Sequence, residues 1–289
     1  MADLYVGTSG WSYPDWKGVV YPPEASRGEL PYYAQFFDAV EINSTFYRPP
    51  QPNYARKWLN DVKENPRFKF TLKLWQRFTH ERGEKWKTEE ADTFKAGIAP
   101  LADSGKLGAV LMQFPWSFPN TESNREWVAE LARTFGEHPL VLEVRHATWN
   151  TKPALDFLRQ NRLNFCNIDQ PVTRSSIPPT SLATGPLAYY RFHGRNYENW
   201  FKKDAGRDDR YNYLYSEAEL KPWTDQIAEM AKRIEQIYIM ANNHYRGQAP
   251  VNALQMKSAL TGERVRVPAT LIQYYPVLRG VASGTGVME

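Results

Sequence analysis

Cysteine is nearly absent: Cys166 is the single one in 289 residues. That excludes an internal disulfide and a zinc site built from several cysteines of one chain. No apolar run approaches the ~20 residues of a membrane-spanning helix. The first six residues have neither a basic stretch nor a long apolar core, so no secretory leader is expected. A cytoplasmic protein with no membrane association is the expectation. An excess of one charge is missing too. The chain has 36 Lys and Arg against 32 Asp and Glu, a net charge of +4, which marks no dedicated nucleic-acid coat. Also lacking are a Walker A loop, a GxGxxG fingerprint, an HExxH helix and any His-x-His pair. Residues 7–10, Gly-Thr-Ser-Gly, are not the GxSxG nucleophile elbow. No internal repeat, low-complexity tract or domain linker is visible.

What is present is a repetition. Eight short strand-like runs (residues 4–8, 39–42, 70–74, 110–112, 140–144, 165–168, 188–192 and 237–241) each carry or lead into polar and charged residues. Segments between them, such as 53–64, 89–102, 125–135, 153–161, 216–233 and 250–260, have helical spacing of apolar residues. Ser216 with Glu219 three residues on forms a capping-box pattern. Strand and helix in alternation predict an α/β fold with parallel strands, a TIM-like (β/α)8 barrel. Residues 1–289 are expected to form one barrel domain, with 261–289 as a C-terminal extension. Polar residues at the strand ends then meet at one mouth, where barrel active sites lie. Two stretches, 10–29 and 194–215, are too long for plain turns and are expected to be mouth loops.

Side chains alternate along a strand, so each run predicts its inward residues. Setting the apolar side against the helices turns Glu41 and Asn43, Lys73, Glu143 and Arg145, Asn167 and Asp169, and Arg191 and His193 into the barrel. Cys166 and Ile168 are expected to face outward. Three acids and three cations would share the upper lumen. Isolated buried charges are costly, so these groups must pair with one another, meet water or meet a ligand. One reading is a structural salt-bridge lattice. The other is a site.

Lys73, Arg145 and Arg191 suit a carboxylate or phosphate. Trp11, Tyr47, Trp75, Phe114, Trp116, Trp149 and Trp200 lie past strand ends and suit a flat ligand, or plug loops onto the barrel. Glu143, Asp169 and His193, with Glu41, are candidates for general acid and base. Asn43 and the run Asn242, Asn243, His244 are candidates for orienting a substrate. Glu41, Glu143, His146, Asp169, His193 and His244 are metal-ligand types, but three cations among them oppose a divalent ion, and neither a metal nor another cofactor is expected. Arg195, Lys202, Lys203, Arg207 and Arg210 form a basic loop that a nucleic-acid binder would use and an ordinary solvated face would also show.

Several stretches together resemble the domain of unknown function 72 family, the YecE-like proteins. They are Gly7-Thr-Ser-Gly-Trp-Ser-Tyr13 with Trp16 and Gly18, Val40-Glu-Ile-Asn-Ser-Thr-Phe-Tyr47, Phe68-Lys-Phe70 with Lys73, and Phe78-Thr-His80. Further along come Leu111-Met-Gln-Phe-Pro115, Glu143-Val-Arg-His146 with Trp149, Asp169-Gln-Pro171, Tyr190-Arg-Phe-His-Gly-Arg-Asn196 and Asn242-Asn-His-Tyr245. The resemblance implies a TIM-like barrel and no established reaction. The expectation from the residues is an enzyme, with a hydrolase as the candidate class, acting on a small anionic, phosphate-bearing or nucleotide-like substrate by acid/base chemistry. The alternatives are a metal-dependent phosphodiesterase or nuclease and a non-catalytic nucleic-acid binder.

Overall fold

Strands buried on both faces need apolar residues outward and well-fitted residues inward, and eight runs of this chain meet that demand. A computed structural model describes residues 2–23, 28–202 and 204–286. The strands close into a barrel in chain order. They are β1 (Asp3–Ser9), β2 (Ala39–Ile42), β3 (Lys69–Lys73), β4 (Leu107–Gln113), β5 (Leu140–Glu143), β6 (Asn164–Asp169), β7 (Leu187–Phe192) and β8 (Gln236–Ala241). All neighbours pair in parallel, and β8 closes on β1 with Asp3 opposite Gln236. The crossovers carry α1 (Glu29–Tyr33), α2 (Pro52–Asp61), α3 (Gln76–Thr79), α4 (Thr88–Asp103), α5 (Glu122–Thr134) and α6 (Lys152–Gln160). Past β7 follow α7 (Tyr197–Trp200), α8 (Arg207–Arg210), α9 (Glu217–Met230) and, past β8, α10 (Gln248–Thr261). The fold is the α/β TIM-like barrel the alternation predicts.

Local signals act where expected. The Ser216 and Glu219 side chains form the capping box that starts α9. Gly262 ends α10 at φ 70°, a left-handed conformation that favours glycine. The segment after α10 is docked: β9 (Val265–Pro268) pairs with β10 (Ala282–Gly286), and α11 (Ala269–Tyr274) lies between them in sequence. Val267, Leu271 and Leu278 are buried there. Residues 287–289, the end of the expected extension, lie outside the described residues.

Two apolar layers result. Val40, Ile42, Phe70, Leu72, Leu142, Val144, Tyr190 and Phe192 pack outward against the helices. Tyr5, Ala39, Ala109, Leu111, Val141, Cys166, Ile168, Tyr189, Tyr238 and Met240 fill the lumen. Tyr238 stacks on Tyr5 at 4.9 Å and Tyr189 at 5.9 Å. A Cβ on Gly108 would meet the Tyr238 ring at 2.6 Å, so glycine there makes room for the stack. Aromatic rings plug the lower barrel, and charged groups occupy the upper part.

One strand departs from the predicted register. In β6, Cys166 and Ile168 face the lumen and Phe165 faces outward, which turns Asn167 and Asp169 out of the barrel. The reason lies in the crossover. Residues 170–186 contain no helix, so the outer face of β6 meets irregular chain with polar groups to satisfy. Asn167 donates to the Leu182 carbonyl and accepts from Leu182 N–H and the Thr180 hydroxyl. A polar side chain outward is the right solution where a loop replaces the helix.

Candidate active site at the barrel mouth

Parity carries the charged residues of β2, β5 and β7 to one level of the lumen. Arg191 is 1% exposed and stands at its centre. Its guanidinium donates to both Glu41 oxygens at 2.6 and 3.0 Å, and to Glu143 and Ser9. Tyr189 donates to Glu41 at 2.9 Å and meets Thr71 at 2.8 Å. Arg145 donates to Glu143 through Nη2 at 2.8 Å and Nε at 3.3 Å. Arg191 is therefore saturated by protein carboxylates, and this part of the network is the structural lattice. Its donors are thereby taken, and the expected role of Arg191 as an anion holder is not open to it.

The electrostatics follow from burial and pairing. Burial alone would raise the Glu143 carboxyl, but Arg191 and then Arg145 hold it well below the usual carboxylate range. Glu143 is thus a fixed negative charge at neutral pH. Burial and then Arg191 and Arg145 push His193 well below its ordinary value. The ring nitrogens meet Arg191 Nη1 at 3.3 Å and the Asn242 side-chain amide at 2.8 Å, and the guanidinium, which can only donate, also disfavours a protonated ring. Burial raises the Cys166 thiol well above its usual value, leaving it an inert packing group.

Asp169, expected beside Glu143, is elsewhere. Its carboxylate accepts from Arg195 through Nε and Nη2 and from the Trp223 indole at 2.9 Å. Burial raises its pKa, with Arg195 opposing. This pair ties the start of the 194–215 loop to α9. The acid/base trio of Glu143, Asp169 and His193 is consequently not assembled. The lumen keeps three cations (Lys73, Arg145 and Arg191) against two carboxylates, an excess of one positive charge.

That excess sits at Lys73. It ends β3, lines the mouth, and has no carboxylate within ion-pair distance among the described residues. Its Nζ lies 5.7 Å from the Phe46 ring centroid. Burial, then Arg191, lowers its pKa to about 8, with Glu41 and Glu143 opposing. Burial, Lys73, Arg145 and Arg82 in turn lower the His80 imidazole, so this side of the mouth is a field of positive charge. Arg82 lies over the Phe118 ring at 4.5 Å and Arg145 over Trp116 at 5.9 Å.

The mouth is a pocket of about 530 Å³ walled by Trp11, Tyr13, Asn43, Phe46, Tyr47, Lys73, Arg210, Tyr211, Asn242 and His244. His244 is stacked on Tyr13 at 4.4 Å and lies 5.1 Å from Tyr211. A neighbouring pocket of about 360 Å³ shares Trp11 and Ser44 and continues to Arg48, Tyr54 and Trp58. Asn43 Oδ1 and Gln113 Oε1 are buried without a hydrogen-bond partner. Gln113 shares parity with Ala109 and Leu111, so it too points inward at the strand end. The Asn43 acceptor, in the same pocket wall as Lys73, fits a hydroxyl or N–H group of a ligand.

Of the residues singled out from sequence, Lys73, Asn43, Trp11, Tyr47, Asn242 and His244 meet in the pocket wall. Glu41, Glu143, Arg145, Arg191 and His193 lie beneath or beside it. Asn243 turns away and donates to the Tyr213 carbonyl and Asn252 of α10. Phe114 and Trp149 are core plugs. In the basic loop, Arg195 is bound to Asp169 and Lys202 to Glu198, and Lys203 lies outside the described residues. Phe46 and Tyr13 were missed as wall residues although both sit inside the quoted motifs. Tyr211 has no local signal beyond its long loop. No group of three or more His, Cys, Asp or Glu side chains placed to hold a metal occurs among the described residues. No described helix is long and apolar enough to cross a membrane.

Comparison with known proteins places these features in context. The sequence model of the family described as "Protein of unknown function DUF72" matches residues 5–273. UPF0759 protein YunF of Bacillus subtilis is 33% identical over 271 residues, covering 89% of this chain and 94% of that protein. UPF0759 protein YecE of Escherichia coli is 27% identical over 149 residues, about half of each chain. The crystal structure of a DUF72 family protein from Thermotoga maritima superposes with a TM-score of 0.80 at 37% identity, covering 90% of this chain and 99% of that one. A DUF72 family protein from Enterococcus faecalis also superposes at 0.80, with 26% identity, covering 89% of this chain and 95% of that one.

Proposed function

The chain belongs to the DUF72 family, and from that premise we propose that it is an enzyme whose barrel mouth takes a small phosphate-bearing substrate. The observation that carries the reading is the unneutralised Lys73 in the pocket wall, on the same side as Arg145, Arg82 and His80. Arg145 is paired with Glu143, but Lys73 has no carboxylate partner among the described residues, and the net positive charge left there becomes favourable around a multiply charged anion. Arg145 adds a planar donor set, and Asn43 offers an acceptor to a hydroxyl of a sugar phosphate or to a base. Trp11, Phe46, Tyr47 and Tyr211 supply flat walls for the rest of the ligand. Lys73, brought to about 8, can exchange its proton near neutral pH. Glu143 works as a fixed charge that orients Arg145. A cytoplasmic setting belongs to the same reading, since a lone buried thiol asks nothing of an oxidising compartment.

Titration calorimetry with sugar phosphates, nucleoside monophosphates and their unphosphorylated counterparts tests this. The phosphorylated compounds are expected to bind and the neutral ones not. Arg145→Met and Lys73→Met should each weaken binding about tenfold or more. Equal binding of neutral compounds, or affinity indifferent to both substitutions, contradicts the reading.

A further inference from the structure

The two lumen carboxylates are both committed to arginines. Glu41 is held by Arg191, and Glu143 by Arg191 and Arg145. The Lys73 amine is left without an ion-pair partner among the described residues, in the pocket wall at the open end of the barrel and 5.7 Å from the Phe46 ring centroid. A lysine needed only to attract an anion serves best when it is fully charged. One held partly out of water, beside other cations and with the nearby carboxylates already paired to arginines, is placed to lose its proton and act as a nucleophile. Its environment agrees, since burial and the neighbouring arginine bring it to about 8, where an appreciable share is free amine near neutral pH. Arg145 and the cations around His80 remain to hold an anion while the amine reacts. Asn43, in the same pocket wall, has a buried acceptor open to a substrate hydroxyl.

We propose that Lys73 forms a covalent imine with the carbonyl carbon of a phosphorylated aldehyde or ketone, such as an open-chain sugar phosphate. The inference rests on the phosphate-bearing reading of the mouth and names the substrate class more narrowly. The free Nζ attacks the carbonyl carbon and gives a carbinolamine. The former carbonyl oxygen leaves as water and the C=O bond becomes C=N. The amine supplies two hydrogens to that water, and the imine nitrogen takes up one proton from solvent when it is cationic. No oxidant or metal is required. The protonated imine then withdraws electrons from the neighbouring C–H and C–C bonds, the activation that isomerisation or carbon–carbon cleavage of such a substrate needs.

The test uses the whole protein with dihydroxyacetone phosphate as the carbonyl probe, glycerol 3-phosphate as its carbonyl-free counterpart, and borohydride to reduce any imine. The expected result is one adduct per chain, equal to the probe less one water plus two hydrogens, on the peptide that contains Lys73. Its formation should accelerate as pH rises through about 8, slow with added glycerol 3-phosphate, and vanish in Lys73→Met and Lys73→Arg. Peptide mapping of the unsubstituted protein gives the answer even where a variant fails to fold. If glycerol 3-phosphate binds but the adduct is missing from Lys73, or spreads over surface lysines, the imine is overturned while the anion site stands. If neither compound binds, both readings fall.

Discussion

Two buried carboxylate–arginine clusters lie on opposite faces of the barrel wall, and they behave differently. Inside, Glu143 is gripped by Arg145 and Arg191 and its pKa falls. Outside, Asp169 has only Arg195 and the Trp223 indole, and its pKa rises despite a bidentate partner. One cation does not outweigh desolvation, whereas two cations with Lys73 and His193 nearby do. Glu143 therefore favours the folded state above the ordinary carboxylate range and loses that contribution as pH falls. Asp169 has the opposite sign: its ionised form is disfavoured in the folded chain, so its contribution shrinks as pH rises through its elevated pKa. The outer cluster closes on itself and holds a loop. The inner one ends in a surplus cation that faces a pocket.

Substitutions break this comparison in a definite order. Arg191→Met strands Glu41 in the lumen, leaves Glu143 with Arg145 alone, and should lower the unfolding free energy by about 3–5 kcal/mol in chemical denaturation. Asp169→Asn leaves Arg195 and the indole with a weaker partner and should lower it by about 1–3 kcal/mol. Anion affinity at the mouth should stay within about twofold of the parent, because the site lies across the barrel wall. A larger loss of affinity would mean that the two clusters are coupled.

Lys73 sharpens the contrast through pH. Its folded pKa, about 8, lies below the ordinary 10.5, so unfolding takes up a proton between those values and stability rises with pH across that window. The rise should be on the order of 1–2 kcal/mol, allowing for partial exposure of the side chain. Lys73→Met should lack it and be more stable than the parent at pH 7. Parallel stability curves for the two proteins between pH 8 and 10.5 would contradict the assignment. The smallest effect is expected from Tyr189→Phe, which removes one hydrogen bond to Glu41 and one to Thr71, about 1 kcal/mol by thermal or chemical unfolding.

The barrel was legible because its strands repeat one pattern, with apolar residues outward and polar tips. Parity alone placed Glu41, Glu143 and Arg191 together. It failed at β6, where Phe165, Cys166 and Ile168 leave both faces apolar enough and the missing crossover helix decides which side takes Asn167 and Asp169. It could not tell a saturated arginine from a vacant lysine either, because Arg191 and Lys73 both read as inward cations. That distinction depends on which carboxylates reach which cation in three dimensions. Tyr211 entered the pocket from a loop whose path no local residue pattern describes.

The most direct test of the account is a crystal structure grown with saturating glycerol 3-phosphate. The account predicts the phosphate at the barrel mouth, with oxygens about 3 Å from Lys73 Nζ and the Arg145 guanidinium, and Asp169 still bound to Arg195. A mouth without phosphate, with Lys73 turned to a protein carboxylate instead, would contradict it.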